Sequence, residues 1–326
     1  RTTCVFSSSS REESAVRVNI EWLRDWVSID LEPDKLAERL TVAGLEVDSV
    51  ETAAPDFEGV VVAEITAVEP HSNADRLVVC QVNDGQEQHT VVCGAPNATS
   101  GLRAPFAPVG AVLPDEVKIR RAKLRGVTSN GMLCSGQDLG LSNESDGLLE
   151  LSPDAPLGQS VRDFLQLDDA ILDIDLTPNR GDCFSVLGIA REIAATQGLE
   201  PVNPTVAPVA VQSAESFGVT LEAEAGCPRF FGRVIRGLST TASTPAWLAE
   251  RLRRAGLRAI HPVVDVTNYV MLELGQPLHS YDVRKLDSGI VVRLARPGEK
   301  LILLDGREID LEPDVMVIAD GSGAIG

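Results

Sequence analysis

Leu77-Val-Val-Cys-Gln-Val-Asn-Asp-Gly-Gln-Glu-Gln-His-Thr-Val-Val-Cys93 reads as two short strands around a turn. β-Branched residues and cysteine dominate Leu77–Val82 and Thr90–Cys93, and Asp84-Gly85 supplies the positive-φ chemistry of a hairpin. Working outward, runs of the same kind occur at Val60–Val68, Arg103–Val109, Gly131–Cys134 and Leu148–Leu151, separated by Gly, Pro and Asn clusters. Five or six short strands in about 95 residues suit a small closed barrel of the OB type better than an open sheet. Cys80, His89 and Cys93 could in principle offer three zinc ligands. The preferred reading buries both thiols inside the strands, because a free cysteine commonly behaves as a small apolar residue.

Helical patterns lie on both sides of this region. Ile20, Leu23, Trp26 and Val27 share one face of a predicted helix, with Asn19 as its N-cap. A second helix follows Pro33 and stops at Gly44, and Leu45–Val50 then alternates as a strand. Helix returns at Phe184–Gln197, opened by Asp182 and closed by Gly198. Pro201–Pro208 is a stiff extended linker. Beyond it the pattern predicts strands at Phe217–Glu222 and Phe230–Arg236, then a helix at Pro245–Ala255 capped by Thr244. Strands follow at Ile290–Ala295, Leu301–Leu304 and Val315–Ala319.

The expected fold is therefore α+β and multidomain: an OB-fold β-barrel inserted in a small α/β domain, followed by a second α+β domain. Residues 1–15 read as a disordered leader without an apolar core. Residues 16–52 and 160–199 pair into the small domain, 53–159 form the barrel, 200–209 the linker, and 210–326 the last domain. That domain is expected to be incomplete at its C-terminus, since the chain stops in an Ala-Asp-Gly-Ser-Gly-Ala-Ile-Gly run.

Composition limits the function. A net charge of −19 argues against nucleic-acid binding over the whole surface but leaves room for a local basic patch. Aromatics make up only 4% of the chain, too few to build extended base-stacking platforms. The six cysteines are scattered without a CxxC, as expected of reduced thiols in a cytoplasmic protein. No stretch of 18 apolar residues is present to span a membrane.

Two constellations carry chemistry. In the barrel, Lys118-Ile-Arg-Arg-Ala-Lys-Leu-Arg125 places Lys118, Arg120, Arg121, Lys123 and Arg125 within eight residues. Turn-rich loops around His71, Asn73 and Asn97 add backbone N–H groups and small polar side chains, a surface suited to phosphate and ribose. The alternative is a strand edge protected by charge. Later in the chain, His261-Pro-Val-Val-Asp-Val-Thr-Asn-Tyr-Val-Met-Leu-Glu-Leu-Gly-Gln-Pro-Leu-His-Ser-Tyr-Asp282 interleaves polar and apolar groups on a helix and its following loop. This density suits a pocket wall; for His279 the competing reading is a loop histidine satisfied by nearby carbonyls.

His71-Ser-Asn-Ala-Asp-Arg-Leu77, Val91–Asn97 and Leu124–Ser135 resemble the tRNA-binding OB module of synthetase-associated proteins. Asn19–Val27, Val42–Asp48, Leu176-Thr-Pro-Asn-Arg-Gly-Asp-Cys183 and the 261–282 run resemble the bacterial phenylalanyl-tRNA synthetase β-subunit family. The resemblance extends from about Val16 to Gly326 and implies the N-terminal portion of a longer subunit. It implies tRNA(Phe) and an α subunit as partners in an α2β2 ligase, with ATP and magnesium used by the full complex and no cofactor or metal in this portion. It also implies hydrolysis of mischarged Tyr-tRNA(Phe), because a pocket for a phenyl ring rejects the same ring bearing a hydroxyl by only about a hundredfold. By that resemblance His279 orients the ester or a water, Thr267 and Asn268 line the pocket, Pro277 shapes its wall, and Arg258 meets the tRNA end. His261 is structural. The residues that read the tyrosine hydroxyl are expected beyond Gly326. Two other readings remain: a stand-alone tRNA-binding OB module without catalysis, and a free-standing trans-editing hydrolase.

Overall fold

The computed structural model describes residues 15–143, 147–202, 206–239, 241–303 and 306–326. They divide into two compact units, one of residues 15–202 and 245–258, the other of residues 206–244 and 259–326. No helix among the described residues is long and apolar enough to cross a membrane.

The first unit opens with β1 (Ala15–Asn19), α1 (Ile20–Arg24), α2 (Pro33–Val42) and β2 (Glu46–Thr52), and returns much later with β12 (Ala170–Asp175) and α4 (Val186–Gln197). These strands form an antiparallel sheet in the order β1-β12-β2. Val18, Leu172 and Ile174 on the sheet, Trp22 and Leu23 of α1, Leu36 and Leu40 of α2, and Ile189 and Ile193 of α4 are all buried. Two capping expectations change. Asn19 occupies the N-cap position of α1 without capping it; its amide instead donates to Asp169 Oδ2 at 2.6 Å. The cap of α4 is Ser185, whose hydroxyl accepts from the Gly188 N–H at 3.1 Å, while Asp182 lies in the preceding turn. A side chain at Gly188 would sit 2.0 Å from the Asp182 carbonyl, so glycine there lets the turn close on the helix start.

Between these halves run β3 (Val61–Pro70), β4 (Val78–Asn83), β5 (Gln88–Cys93), β6 (Arg103–Pro108), β7 (Val112–Leu113), β8 (Val117–Lys118), β9 (Ala122–Leu124), β10 (Val127–Ser129), β11 (Gly131–Leu133) and the short helix α3 (Val161–Phe164). Five of the strands form an antiparallel sheet in the order β11-β6-β3-β4-β5. The Asn130 N–H donates to the Thr90 carbonyl at 2.9 Å, and the Val92 N–H to Ser129 Oγ at 3.0 Å. Those bonds bring the two edges together into a nearly closed barrel. A register shift between Ile65 and Ala67 on β3 bends the sheet. Ile65, Val82, Val91, Phe106 and Leu133 fill its interior.

The Asp84-Gly85 turn forms as expected: Gly85 has φ +90°, and Asp84 Oδ1 accepts from the N–H groups of Gln86 and Glu87. Leu148–Leu151, by contrast, is not a strand. Its N–H groups at Leu149 and Leu151 reach the carbonyls of Cys134 and Arg103, but the segment runs irregularly because Asn97 holds it at Leu148. The helix α5 (Ala246–Arg254) also packs in this unit; its N-cap is Pro245, not Thr244.

The second unit contains β13 (Val219–Leu221), α6 (Pro262–Leu274), β14 (Ile290–Leu294), β15 (Lys300–Ile302), β16 (Glu308–Asp310), β17 (Met316–Asp320) and β18 (Gly323–Ala324). The sheet order is β13-β14-β17-β18, with β13 parallel to β14 and the other pairs antiparallel. Val317, Ala319, Ala295 and Leu311 form its core. The expected strand Phe230–Arg236 does not form: no described strand pairs with it, and Phe231 is 89% exposed. Of the linker Pro201–Pro208, residues 203–205 lie outside the described residues.

Candidate functional site

The basic run folds into a hairpin. β9 and β10 pair antiparallel with Leu124 opposite Val127, leaving Arg125-Gly126 as a two-residue turn. Both turn residues have positive φ, +45° and +101°, the backbone of a type I′ turn. Lys118, Arg120, Arg121, Lys123 and Arg125 are all exposed, and none forms an ion pair with a described residue. Their charges are thus available to a polyanion.

His71 and Asn73 occupy a loop beside the hairpin and hold it. The His71 ring is buried, at 6% exposure. Its Nδ1 accepts from the Asn73 N–H at 3.1 Å, so Nε2 carries the hydrogen given to the Leu124 carbonyl at 3.2 Å. The Asn73 side-chain amide donates to the Arg125 carbonyl at 3.3 Å, and Arg125 Nη1 donates back to the Asn73 carbonyl at 3.5 Å. Both side chains therefore grip the hairpin tip, with a residue carbonyl each. Asn97 is likewise engaged internally, accepting from the Leu148 N–H at 2.8 Å and donating to the Leu148 carbonyl and to Glu150. The sequence motif found these three residues; it did not distinguish holding the surface from being the surface.

Between the hairpin and the barrel wall lies a groove. Lys118, Arg120, Cys93, Ala95, Ser135 and Asp138 are among the residues that line it. Asp138 is tied down by the N–H and hydroxyl of Ser135 at 2.7 and 2.6 Å. No aromatic side chain is among its described lining residues, which combine Lys118 and Arg120 with aliphatic groups such as Val92, Met132 and Leu133.

The arginines of α5 have a different fate from those of the hairpin. Arg254 is 3% exposed and donates to Asp169 Oδ2 at 2.8 Å and to the carbonyls of Leu165 and Gln166. Arg253 binds Glu250 and the Ala53 carbonyl, and Arg251 pairs with Asp25 at 2.6 Å beneath Trp22 and Trp247. A run that looks basic in sequence is internal packing in three dimensions. Arg258, just after the helix, is exposed.

In the second unit, α6 carries the 261–282 motif. His261 caps it, Nδ1 accepting from the Val263 N–H at 3.3 Å. Asp265 lies inside the helix, in its first turn. It is fully buried in the first turns of the helix, where it accepts from the Ile260 N–H at 2.9 Å and from the Thr244 hydroxyl, pinning both strands of chain that approach the helix. Asn268 is buried one turn on, and the Thr267 hydroxyl donates to the Val264 carbonyl at 2.7 Å. Tyr269 donates to Glu273 at 2.6 Å.

Gly275, with φ +72°, ends the helix, and the loop that follows exposes Gln276, Pro277 and His279. The His279 ring lies parallel to that of Tyr281 at 6.1 Å between centroids. The Tyr281 hydroxyl is buried without a hydrogen-bond partner among the described residues, and burial pushes its pKa up. The structure thus puts Asn268 and Thr267 on the helix, and His279 and Pro277 on the exposed loop. It does not bring all four around one enclosed cavity. Sequence reading passed over Tyr281, although a tyrosine two residues from the candidate histidine in an extended loop faces the same side.

Among the described residues, one three-group cluster has metal-ligand proximity: Asp182, Cys183 and Glu192. The Arg180 guanidinium already occupies it, bonded to both carboxylates and within 2.9 Å of the sulfur. The donor set is that of a salt-bridge knot. Cys80 and Cys93 turn into the barrel core, while His89 Nε2 lies 2.8 Å from Asp84 in the hairpin turn.

Residues 60–160 match the family described as "Putative tRNA binding domain", and residues 226–326 match the B3/4 domain family. The β subunit of phenylalanine–tRNA ligase from Hahella chejuensis is 54% identical over 299 residues, 92% of this chain. The corresponding subunit from Pseudomonas syringae is 54% identical and that from Pectobacterium atrosepticum 50% identical, each over 305 residues and 94% or 93% of this chain. The chain spans 38% of the length of each of these relatives. The solved structure of a MetRS related protein from Pyrococcus horikoshii is 24% identical and covers 32% of this chain and 89% of that one. Its TM-score of 0.24 is too low to define a shared fold.

Proposed function

We propose that this chain, which is similar to phenylalanine–tRNA ligase β subunits over more than nine-tenths of its length, binds tRNA through the basic hairpin of an OB-type barrel. In the same reading its second unit contributes one wall of a site that hydrolyses mischarged Tyr-tRNA(Phe). The whole would serve a cytoplasmic α2β2 ligase that attaches phenylalanine to tRNA(Phe). The observation that carries the tRNA reading is the basic segment: five exposed cations within residues 118–125, leading into a hairpin turn held by His71 and Asn73, on a chain of net charge −19. Preorganised cations bind phosphates with little ordering cost.

The chemistry of the second unit follows from groups at the 275–282 loop. An exposed imidazole at His279 can orient an ester carbonyl or a water by hydrogen bonding, and orientation alone supplies rate. In this reading Asn268 and Thr267 line the pocket, Pro277 shapes its wall, and Arg258 meets the tRNA end. The domains that this reading assigns are residues 16–52 with 160–199, the barrel 53–159 and the editing-type domain 210–326. In the same reading ATP and magnesium are used by the full ligase complex.

The decisive experiment measures tRNA(Phe) binding by this chain across a salt series, with Lys118, Arg120, Arg121 and Lys123 replaced together by glutamine. Weaker binding with a shallower salt slope supports the reading, because fewer counterions are released. An unchanged slope removes the hairpin from the interface. For editing, deacylation of Tyr-tRNA(Phe) by the ligase carrying this chain should slow well over tenfold in His279→Ala, and an unaffected rate would return His279 to a packing role.

A further inference from the structure

Of the 13 residues of α6, Val264, Asp265 and Asn268 are buried, while Val266 and Leu274 stand exposed. The helix is therefore held by a short stripe near its start, and one member of that stripe is an acid. Asp265 Oδ1 accepts from the Ile260 N–H at 2.9 Å, and Oδ2 accepts from the Thr244 hydroxyl. A fully buried carboxylate is costly unless each oxygen finds a donor, so the acid and its two donors hold one another in place.

The positions of the donors give the arrangement its meaning. Thr244 is the last residue of the second unit before the chain leaves for α5, and Ala259 is the first after it returns. Asp265 thus ties the outgoing chain at Thr244 and the incoming chain at Ile260. The Ile260 side chain is 53% exposed, so apolar burial does little to fix this turn, and its amide bond to Asp265 remains. Three residues on, Asn268 continues the buried stripe with Thr267 beside it, and Gly275 ends the helix into the loop of His279. From Asp265 to Gly275 the helix spans about 15 Å. A helix displaced at its start carries its far end with it, and a shift of about 1 Å at a reacting group can cost on the order of a hundredfold in rate.

We propose that Asp265 is a positioning residue for the deacylation assigned to this unit. By clamping Thr244 and Ile260 it sets the start of α6, and through α6 the places of Thr267, Asn268 and the His279 loop. Resting on the deacylation reading, this role adds to it a buried group that touches neither the ester nor the RNA.

The test measures hydrolysis of Tyr-tRNA(Phe) by the ligase carrying this chain, with kcat and KM resolved. Asp265→Ala should slow deacylation by about tenfold or more, chiefly in kcat, because no group that meets RNA has been removed. Asp265→Asn should stay within about threefold of the native rate: its oxygen still accepts from Ile260, and its amide donates to a Thr244 hydroxyl turned to accept. Thr244→Val should fall between them, and Thr244→Ser, which keeps the hydroxyl, should match the native protein. Hydrogen exchange at the Ile260 amide reads the clamp itself, slow in the native and Asn proteins and fast in the Ala protein. Should Asp265→Ala fail to fold, the Thr244→Val and Thr244→Ser pair decides. Native kcat in Thr244→Val and in any folded Asp265→Ala overturns the proposal, as does a loss confined to KM. An equal loss in Asp265→Asn with Ile260 still protected overturns it too. A ligase that does not deacylate Tyr-tRNA(Phe), or does so unaffected by His279→Ala, instead removes the deacylation reading and this role with it.

Discussion

The His71 imidazole donates to the Leu124 carbonyl at 3.2 Å, joining positions 53 residues apart at the tip of the basic hairpin. A buried ring that touches no solvent-facing cation cannot contact a phosphate, yet it decides where Lys123 and Arg125 stand. His71→Ala removes one hydrogen bond worth about 1 kcal/mol and loosens the tip. The expected result is tRNA affinity lower by roughly fivefold with the salt slope unchanged. A reduced slope in a titration from low to high salt would instead mean that His71 carries charge to the RNA.

Replacement of Lys118, Arg120, Arg121 and Lys123 by glutamine should do the opposite. Each phosphate left without its cation lowers the slope of log affinity against log salt by about 0.7 to 0.9. Four such phosphates therefore change the slope by about 3 while leaving the thermal unfolding of the barrel in place, since all four side chains are exposed.

Arg254 and Asp169 form a buried pair with side-chain exposures of 3% and 2%. Asp169 also receives the Asn19 amide and the N–H groups of Glu21 and Ala170. Arg254→Met leaves that carboxylate without its cation, and breaking such a pair costs about 3–5 kcal/mol. Urea unfolding should show the unfolding free energy lowered by about that amount. Arg254→Lys should not restore it, because one ammonium cannot reach Asp169 and the Leu165 and Gln166 carbonyls together.

Glu299 reports on the second unit through acid. Arg293 grips it with two bonds of 2.6 and 2.7 Å, and the N–H groups of Arg296 and Ala324 add to them. Arg293 first, then those amides, hold the carboxyl down to about 2. Because the folded value lies below the unfolded one, this stabilisation is complete above the ordinary glutamate range and is lost as pH falls toward 2. Glu299→Gln should lower stability at neutral pH by on the order of 2 kcal/mol and flatten the acid limb. Parallel unfolding curves for the two proteins between mild and strong acid would refute the assignment.

The barrel strands were legible because their periodicity and the Asp84-Gly85 turn are local signals. What the sequence hid was set by partners far along the chain. Asn19 and Thr244 look like helix caps, but Asp169 and Asp265 claim their side chains. β9 and β10 are three residues each, Ala-Lys-Leu and Val-Thr-Ser, too short to show an alternating pattern, so no apolar face announces them. Leu148–Leu151 has the composition of a strand, and one asparagine 51 residues away keeps it irregular. The motif at 261–282 was recognisable as a helix and loop. The separation of its residues into a buried face at Asn268 and an exposed loop at His279 needed the backbone of Gly275 to be known.

The helix α5 carries a cost in time. Residues 15–202 are synthesised with the Asp169 carboxylate already enclosed by their own sheet and turn, but the guanidinium that neutralises it arrives only at position 254. At about 5–20 residues per second, the chain emerging from a ribosome passes several seconds with that charge unmatched. The first unit is therefore expected to complete its folding late, after part of the second has been made. Messages that stall translation between codons 202 and 258 would leave a nascent chain open to proteolysis at the very surface that α5 later covers.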